Sequence, residues 1–283
     1  MRGFWPLTIP LYFVVWTALT ALVPAWLLLS VLIGAWRGRS FVVLRLLVFL
    51  WVYLSLALLT LLRSIEVRFG GVRVARDEAL LRLGGWYGAA LFAWCVRLLS
   101  MSVVIEGKEH LTEGPFVVLV RHASIVDAAL PAALLAEKRI RLHYVLKAEL
   151  RVEPCIEVLG SPRVHAFIDR EGPPLRERRK IATLARSLGD DAIVLYPEGT
   201  RFSEAKRARD VELLARARPE LAAIGASMTH VLPPRLVGPL AALDAAPTAD
   251  CLIISHRGLE CEAIASTFAR AAAVAFRAVE GSG

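Results

Sequence analysis

An α/β fold behind a membrane anchor is the class this sequence predicts: a mixed sheet flanked by helices, preceded by an N-terminal hydrophobic two-helix membrane anchor. Three observations carry it. Two runs near the N-terminus, Phe4 to Trp36 and Leu46 to Leu62, contain no charged residue. From about Val103 onward, short β-branched runs alternate with stretches of helical spacing. The charge is also lopsided: the first 100 residues hold 10 arginines against 3 acids, whereas the remaining chain is nearly balanced within a net charge of +8.

The anchor comes first. About 20 apolar residues cross a bilayer core at 1.5 Å rise per residue, so the first run is longer than needed and the second slightly short. Pro6, Pro10 and Pro24 are positioned to bend the first run, since proline removes a helix hydrogen bond and kinks the axis. Arg37 and Arg39 sit between the runs, and Arg63, Arg68, Arg73, Arg76 and Arg82 follow the second. If both runs cross, these two groups fall on opposite sides. If the hairpin dips into one leaflet, they share a side. In both cases the larger group favours the cytoplasm, giving a membrane protein (inner or plasma membrane in a bacterium) with its active domain on the cytoplasmic side. Val23-Pro24-Ala25 loosely fits a signal-peptide cleavage site, but apolar sequence continues to Trp36 instead of ending there.

A basic surplus beside apolar spans predicts contact with a membrane phospholipid surface, each cation near anionic headgroups contributing about 1 kcal/mol. Nucleic acid is not expected, because no basic patch interleaved with aromatics follows the apolar region. A third apolar stretch, Trp86 to Cys95, is too short to span and reads equally as an interfacial segment or a core helix. The expected divisions are therefore an anchoring hairpin over 1–65, an interfacial helical linker over 66–102 and a catalytic domain over 103–283.

Within that domain Phe116–Val120, Tyr144–Leu146, Val164–Ile168, Ile193–Tyr196 and Leu252–Ile254 are strand candidates. Ile125–Ala136, Leu175–Leu188, Val211–Ala226 and an Ala-rich Glu260–Val279 carry helical signals. Such alternation implies a sheet with helices on its faces. Cys95, Cys155, Cys251 and Cys261 are scattered, with no zinc spacing, so buried or free thiols are expected and no metal site.

Chemistry concentrates in two places. Arg121-His122-Ala123-Ser124-Ile125-Val126-Asp127 follows a strand directly. On a straight helix five residues turn roughly 500°, leaving His122 and Asp127 about 140° apart. They meet only if His122 occupies the turn before the helix and Asp127 its first turns, at a strand-to-helix corner of the kind that α/β proteins use for sites. A carboxylate on one ring nitrogen fixes the imidazole tautomer and leaves the other nitrogen to accept a proton. The second place is Pro197-Glu198-Gly199-Thr200-Arg201, at the end of an apolar strand. Glycine permits close backbone approach, and an arginine beside exposed N–H groups suits a phosphate. A Glu198–Arg201 ion pair is the structural alternative.

Together these blocks resemble the glycerophospholipid acyltransferase family, of the 1-acylglycerol-3-phosphate acyltransferase type, whose hallmark is His-x4-Asp followed by Pro-Glu-Gly-Thr-Arg. Phe167-Ile168-Asp169-Arg170 is similar to its acceptor-binding block, Val231-Leu232-Pro233-Pro234-Arg235 to its final proline block, and Lys147 with Glu149-Leu150 to its Lys-x-Glu-Leu element. Arg121 stands where that family usually has Asn, and Tyr196 where it usually has Phe. The resemblance implies His122 as general base, oriented by Asp127, on the hydroxyl of a lysophospholipid acceptor. It also implies an acyl thioester donor (acyl-CoA or acyl carrier protein as co-substrate) and no cofactor. Asp169, Arg170, Glu198, Gly199, Thr200, Arg201, Leu232 and Pro233 would bind the acceptor, while Lys147 and Lys206 are possible donor or phosphate contacts. Lysophosphatidate is the expected acceptor. The alternatives are lysocardiolipin, another lysophospholipid or an acylated amino-acid lipid, or a silent lipid-binding protein on the same fold. The other histidines, His110, His143, His165, His230 and His256, read as structural, and Arg176-Glu177-Arg178-Arg179-Lys180 as a solvated or headgroup-facing helix surface.

Overall fold

The computed structural model describes residues 5–37, 42–69 and 73–280, apart from 112, 125, 162 and 258–272. The first apolar run is two helices rather than one. Helix α1 (Trp5–Ala21) and α2 (Val23–Arg37) meet at Leu22 with a bend of 65°. Pro24 withholds the N–H that would continue the ladder, and the Trp26 indole N–H donates instead to the Leu19 carbonyl at 2.9 Å, satisfying a group at the bend. The pair forms either one broken span or a re-entrant loop.

Helix α3 (Val42–Phe69) and α4 (Arg73–Leu99) are each long and apolar enough to cross a membrane by length and composition. The stretch from Trp86 to Cys95 is thus not a separate short segment but part of α4. Its C-terminal half is core: Phe92, Cys95 and Leu99 are buried against the sheet. A Cβ at Gly88 would come within 2.7 Å of the Ala132 side chain, which is how closely α4 approaches the next helix.

Seven strands of the described residues form one sheet in the order β1-β7-β6-β2-β5-β3-β4. They are β1 (Ser102–Glu106), β2 (Phe116–Val120), β3 (Leu142–Lys147), β4 (Ala166–Ile168), β5 (Ala192–Leu195), β6 (Asp250–Arg257) and β7 (Ala273–Glu280). Strands β6, β2, β5, β3 and β4 run parallel to one another, β7 runs antiparallel to β6, and β1 pairs parallel with β7. Side chains of β2 alternate between two cores, as a pleated strand requires. Phe116, Val118 and Val120 pack with α4 and α5 (Leu130–Leu135). Val117 packs on the other face with α7 (Pro174–Arg186) and α10 (Val237–Ala245).

Three helical expectations need correction. The Glu260–Val279 helix is not found where the structure describes it, since Ala273–Glu280 is strand β7; residues 258–272 lie outside the described residues. Ladders on both sides of β7 outweigh alanine's helix preference, which is a weak local bias. The Val211–Ala226 helix breaks at Pro219 into α8 (Glu204–Ala217), a 3-10 turn and α9 (Ala222–Ser227), because proline and its preceding residue resist continued α geometry. The Ile125–Ala136 helix shrinks to α5 between two 3-10 turns, Val126–Ala128 and Ala136–Lys138, with Pro131 in its first turn. Helix α6 (Pro154–Leu159) lies beside α1, α3 and α4. There Tyr12 and Tyr53 of the apolar helices both donate to Glu153 Oε1, at 3.3 and 3.4 Å.

Candidate active site

Because β2, β3, β4, β5 and β6 are parallel, their C-terminal ends share one edge, where open α/β sheets bind ligands. His122 lies two residues beyond β2, and the Pro197–Arg201 turn leaves its neighbour β5. Ser124 Oγ accepts the Val126 N–H at 2.9 Å, tightening the loop into the 3-10 turn that carries Asp127. The Asp127 side chain thereby folds back over its own preceding backbone. Its Oδ1 lies 2.9 Å from His122 Nδ1, and its Oδ2 accepts the N–H groups of Ala123 and Ser124 at 2.6 and 2.7 Å.

Asp127 is 0% exposed and the His122 side chain 23%. Burial alone would raise the Asp127 pKa, but hydrogen bonds from His122, from His256 and from the Ser124 backbone outweigh it and hold the carboxyl below the usual range. An ionised Asp127 requires a proton on His122 Nδ1, so the outward Nε2 is the free base position. The ring of Tyr196 flanks His122 with centroids 4.7 Å apart, and its hydroxyl donates to the Asp127 carbonyl at 3.3 Å.

Glu198 makes no ion pair with Arg201 among the described residues. Its buried carboxylate accepts the His122 N–H (2.8 Å) and the Leu232 N–H (3.0 Å), joining three loops. Burial raises its pKa, with those backbone donors opposing. A carboxylate occupied in this way holds the three loops together. Leu232 is buried beside it, and Pro233 is half-buried next in the chain. The Phe202 N–H donates to the His122 carbonyl at 2.8 Å, and the Arg235 N–H to the Pro197 carbonyl at 2.8 Å.

The cations gather around Gly199, whose φ of 67° is a left-handed conformation that favours glycine. A Cβ there would meet Arg235 Cδ at 3.2 Å and Arg170 Nη2 at 3.7 Å. Arg170 is held below its ordinary pKa by burial and by the like charge of Arg235, against the opposing pull of Glu149. Two guanidiniums crowded over one bare backbone turn form an anion site. Lys206 Nζ donates to Thr200 Oγ1 at 3.2 Å and to the Arg201 carbonyl at 3.0 Å, so it fixes this turn. Arg201 is exposed, and Lys147 is exposed at the end of β3, paired in register with Ile168. Asp169 shapes the loop that bears Arg170. Its N–H donates to Glu177 Oε2 (3.1 Å), and its Oδ1 accepts the Glu171 N–H (3.1 Å).

Tyr196 and Glu177 carried no site role in the sequence reading, where Arg235 entered only as the end of the proline block and His256 only as a structural histidine. Arg235 closes the proline block, and Glu177 hides in a charge run yet is buried, with its carboxylate bound to Lys180 at 2.7 Å. His256, read as structural, lies with its Nε2 3.5 Å from Asp127 Oδ2. His143 does fit a structural role, bonding the Val164 carbonyl at 2.9 Å and Asp191 at 3.3 Å. A cavity of about 230 Å³ between α7 and α10, lined by Leu175, Arg178, Arg179 and Arg186, shares no residue with this cluster.

The family model named Acyltransferase matches residues 102–233, which include the His122–Asp127 loop, the Gly199 turn and Leu232–Pro233. Residues 102–233 form an acyltransferase-family domain. Among solved structures, the chain is similar to the 1-acyl-sn-glycerophosphate (LPA) acyltransferase PlsC from Thermotoga maritima, at 18% identity over 78% of this chain and 75% of that one, with a TM-score of 0.49. No curated protein matches the chain.

Proposed function

We propose that this acyltransferase moves a fatty acyl group from an acyl thioester to the free hydroxyl of lysophosphatidate at a membrane surface, giving phosphatidate. The observation that carries the reading is the 2.9 Å contact between His122 Nδ1 and a buried, ionised Asp127, with the ring's other nitrogen free. His122 Nε2 takes the hydroxyl proton as the acceptor oxygen attacks the thioester carbonyl. A tetrahedral oxyanion forms and collapses, the carbon–sulfur bond breaks, and the departing thiolate recovers the proton from His122. No acyl-enzyme is required, because the acceptor supplies the nucleophile. General base catalysis of this kind contributes about 10²–10⁴-fold.

Arg170 and Arg235 over Gly199 favour an acceptor bearing a phosphate, with Arg201 and Lys147 within the same edge of the sheet. Glu198, Leu232, Asp169 and Lys206 act as positioning groups. Acyl-CoA and acyl carrier protein both present the same thioester carbonyl to this site. The N-terminal helices would keep the site at the bilayer, and the arginines around them favour a cytoplasmic domain.

The test uses full-length protein in detergent, labelled lysophosphatidate and acyl-CoA. Wild type yields labelled phosphatidate, and His122→Ala lowers kcat by about 10³-fold or more with folding retained. Turnover by His122→Ala at the wild-type rate would overturn the general-base assignment.

A further inference from the structure

The Asp127 carboxylate has a second imidazole behind it. His256 lies in β6, the strand next to β2, and its side chain is 0% exposed. Its Nε2 is 3.1 Å from the Arg121 carbonyl and 3.5 Å from Asp127 Oδ2. Both neighbours are acceptors, so Nε2 carries a hydrogen. That hydrogen points chiefly at the carbonyl and leaves the carboxylate as a second, longer acceptor.

The placement is secured from outside the dyad. Beyond the β2–β6 ladder, the Arg121 N–H donates to the Ile254 carbonyl at 3.1 Å. The Arg121 guanidinium then donates to the His256 carbonyl at 2.6 Å and to the His230 carbonyl at 2.7 Å. One side chain thus straps the end of β6, and the loop leading to Leu232, onto the strand that delivers His122. A side chain as short as asparagine at 121 could not span the same two carbonyls.

We propose that His256 is a positioning residue for the His122–Asp127 pair, held under the Asp127 carboxylate by Arg121. The inference rests on the general-base reading above. With His256 and the N–H groups of Ala123 and Ser124 on one side, Oδ2 is fully engaged and Oδ1 alone faces His122. The carboxylate then cannot rotate, and the imidazole it steers keeps one orientation. The groups facing Asp127 are His122 and the backbone of its own loop, His256 from β6 and Tyr196 just past the end of β5.

Glutamine and asparagine separate positioning from space-filling. A glutamine amide reaches about as far as imidazole Nε2, whereas an asparagine amide stops near Nδ1. In the full-length protein, His256→Asn and His256→Leu are expected to lower kcat about tenfold with the lysophosphatidate KM unchanged, the scale of one long hydrogen bond to a charge. His256→Gln should recover kcat to within about threefold of wild type, and the Asn and Gln variants should melt at the same temperature. If His256→Asn turns over like His256→Gln while His122→Ala is inactive, this inference alone fails. A loss of kcat that tracks melting temperature across all three variants would also overturn it. If His122→Ala keeps the wild-type kcat, the general-base reading fails and this inference with it.

Discussion

Two carboxylates in this molecule, Asp127 buried and Glu153 half-buried, face opposite electrical fates. Asp127, at the C-terminal edge of the sheet, meets two backbone N–H groups and His122, with His256 at longer range, and its pKa is held down. Glu153, where the apolar helices meet α6, meets two phenols and one short backbone N–H, that of Ile156 at 2.6 Å, and its pKa is raised, chiefly by burial. Glu153 is the less deeply placed of the two, yet its pKa is the one that rises, so depth does not set the direction. Amide donors and an imidazole stabilise a negative charge, whereas two phenol contacts of 3.3 and 3.4 Å do not offset the lost hydration. The depressed carboxyl is thus the one beside the proposed base, and the raised one lies at the contact with the apolar helices.

Three substitutions probe that contrast, in decreasing order of effect. Asp127→Asn should lower kcat by about 10⁴-fold, because an amide no longer demands a proton on His122 Nδ1 and the ring loses its fixed tautomer. Steady-state rates with lysophosphatidate and acyl-CoA measure it, and a loss below tenfold would remove Asp127 from the mechanism. Arg235→Ala should raise the lysophosphatidate KM about tenfold with little change in kcat, since it removes one charge-assisted contact from binding and none from proton transfer. An unchanged KM would leave the Gly199 turn without its phosphate.

The smallest effect belongs to Glu153→Gln, which should shift stability by less than about 1 kcal/mol near neutral pH. The pH dependence is more telling. The folded pKa of Glu153 lies above the unfolded one, so its stabilising contribution is complete below the ordinary glutamate range and fades as pH rises through the raised value. Asp127 runs the other way. Its contribution is complete above the ordinary aspartate range and disappears as pH falls through the depressed value. Thermal melts of wild type and Glu153→Gln from acid to neutral pH should diverge only on the alkaline side of the glutamate range. Divergence on the acid side instead would show a Glu153 carboxyl held down like that of Asp127, and parallel curves would show no shift at all.

The sequence made some of this legible and hid the rest for physical reasons. His122 and Asp127 could be paired from their spacing because a strand immediately precedes them, and the required turn geometry is what the 3-10 segment supplies. The central strands were readable because parallel strands buried on both faces are nearly continuous apolar runs, as in Ala192–Leu195. His256 was not readable as a site residue, since strand order and not chain order brings it to Asp127, and Arg235 was legible only as the end of the proline block. Glu177 misleads in a different way: among arginines it looks solvated, yet it is the buried member of its run. Strand β7 was missed because its alanines favour helix and only its two neighbours make it a strand.

Helix α4 ties hydrophobic hairpin and sheet into one object. Phe92, Cys95 and Leu99 wall one side of the core, and each large apolar side chain sealed there contributes about 2 kcal/mol. Clipping the chain ahead of β1 would strip that wall from Phe116, Val118 and Val120 and leave a greasy sheet in water. A soluble version of the sheet domain is therefore expected to need α4 kept and its outward side made polar.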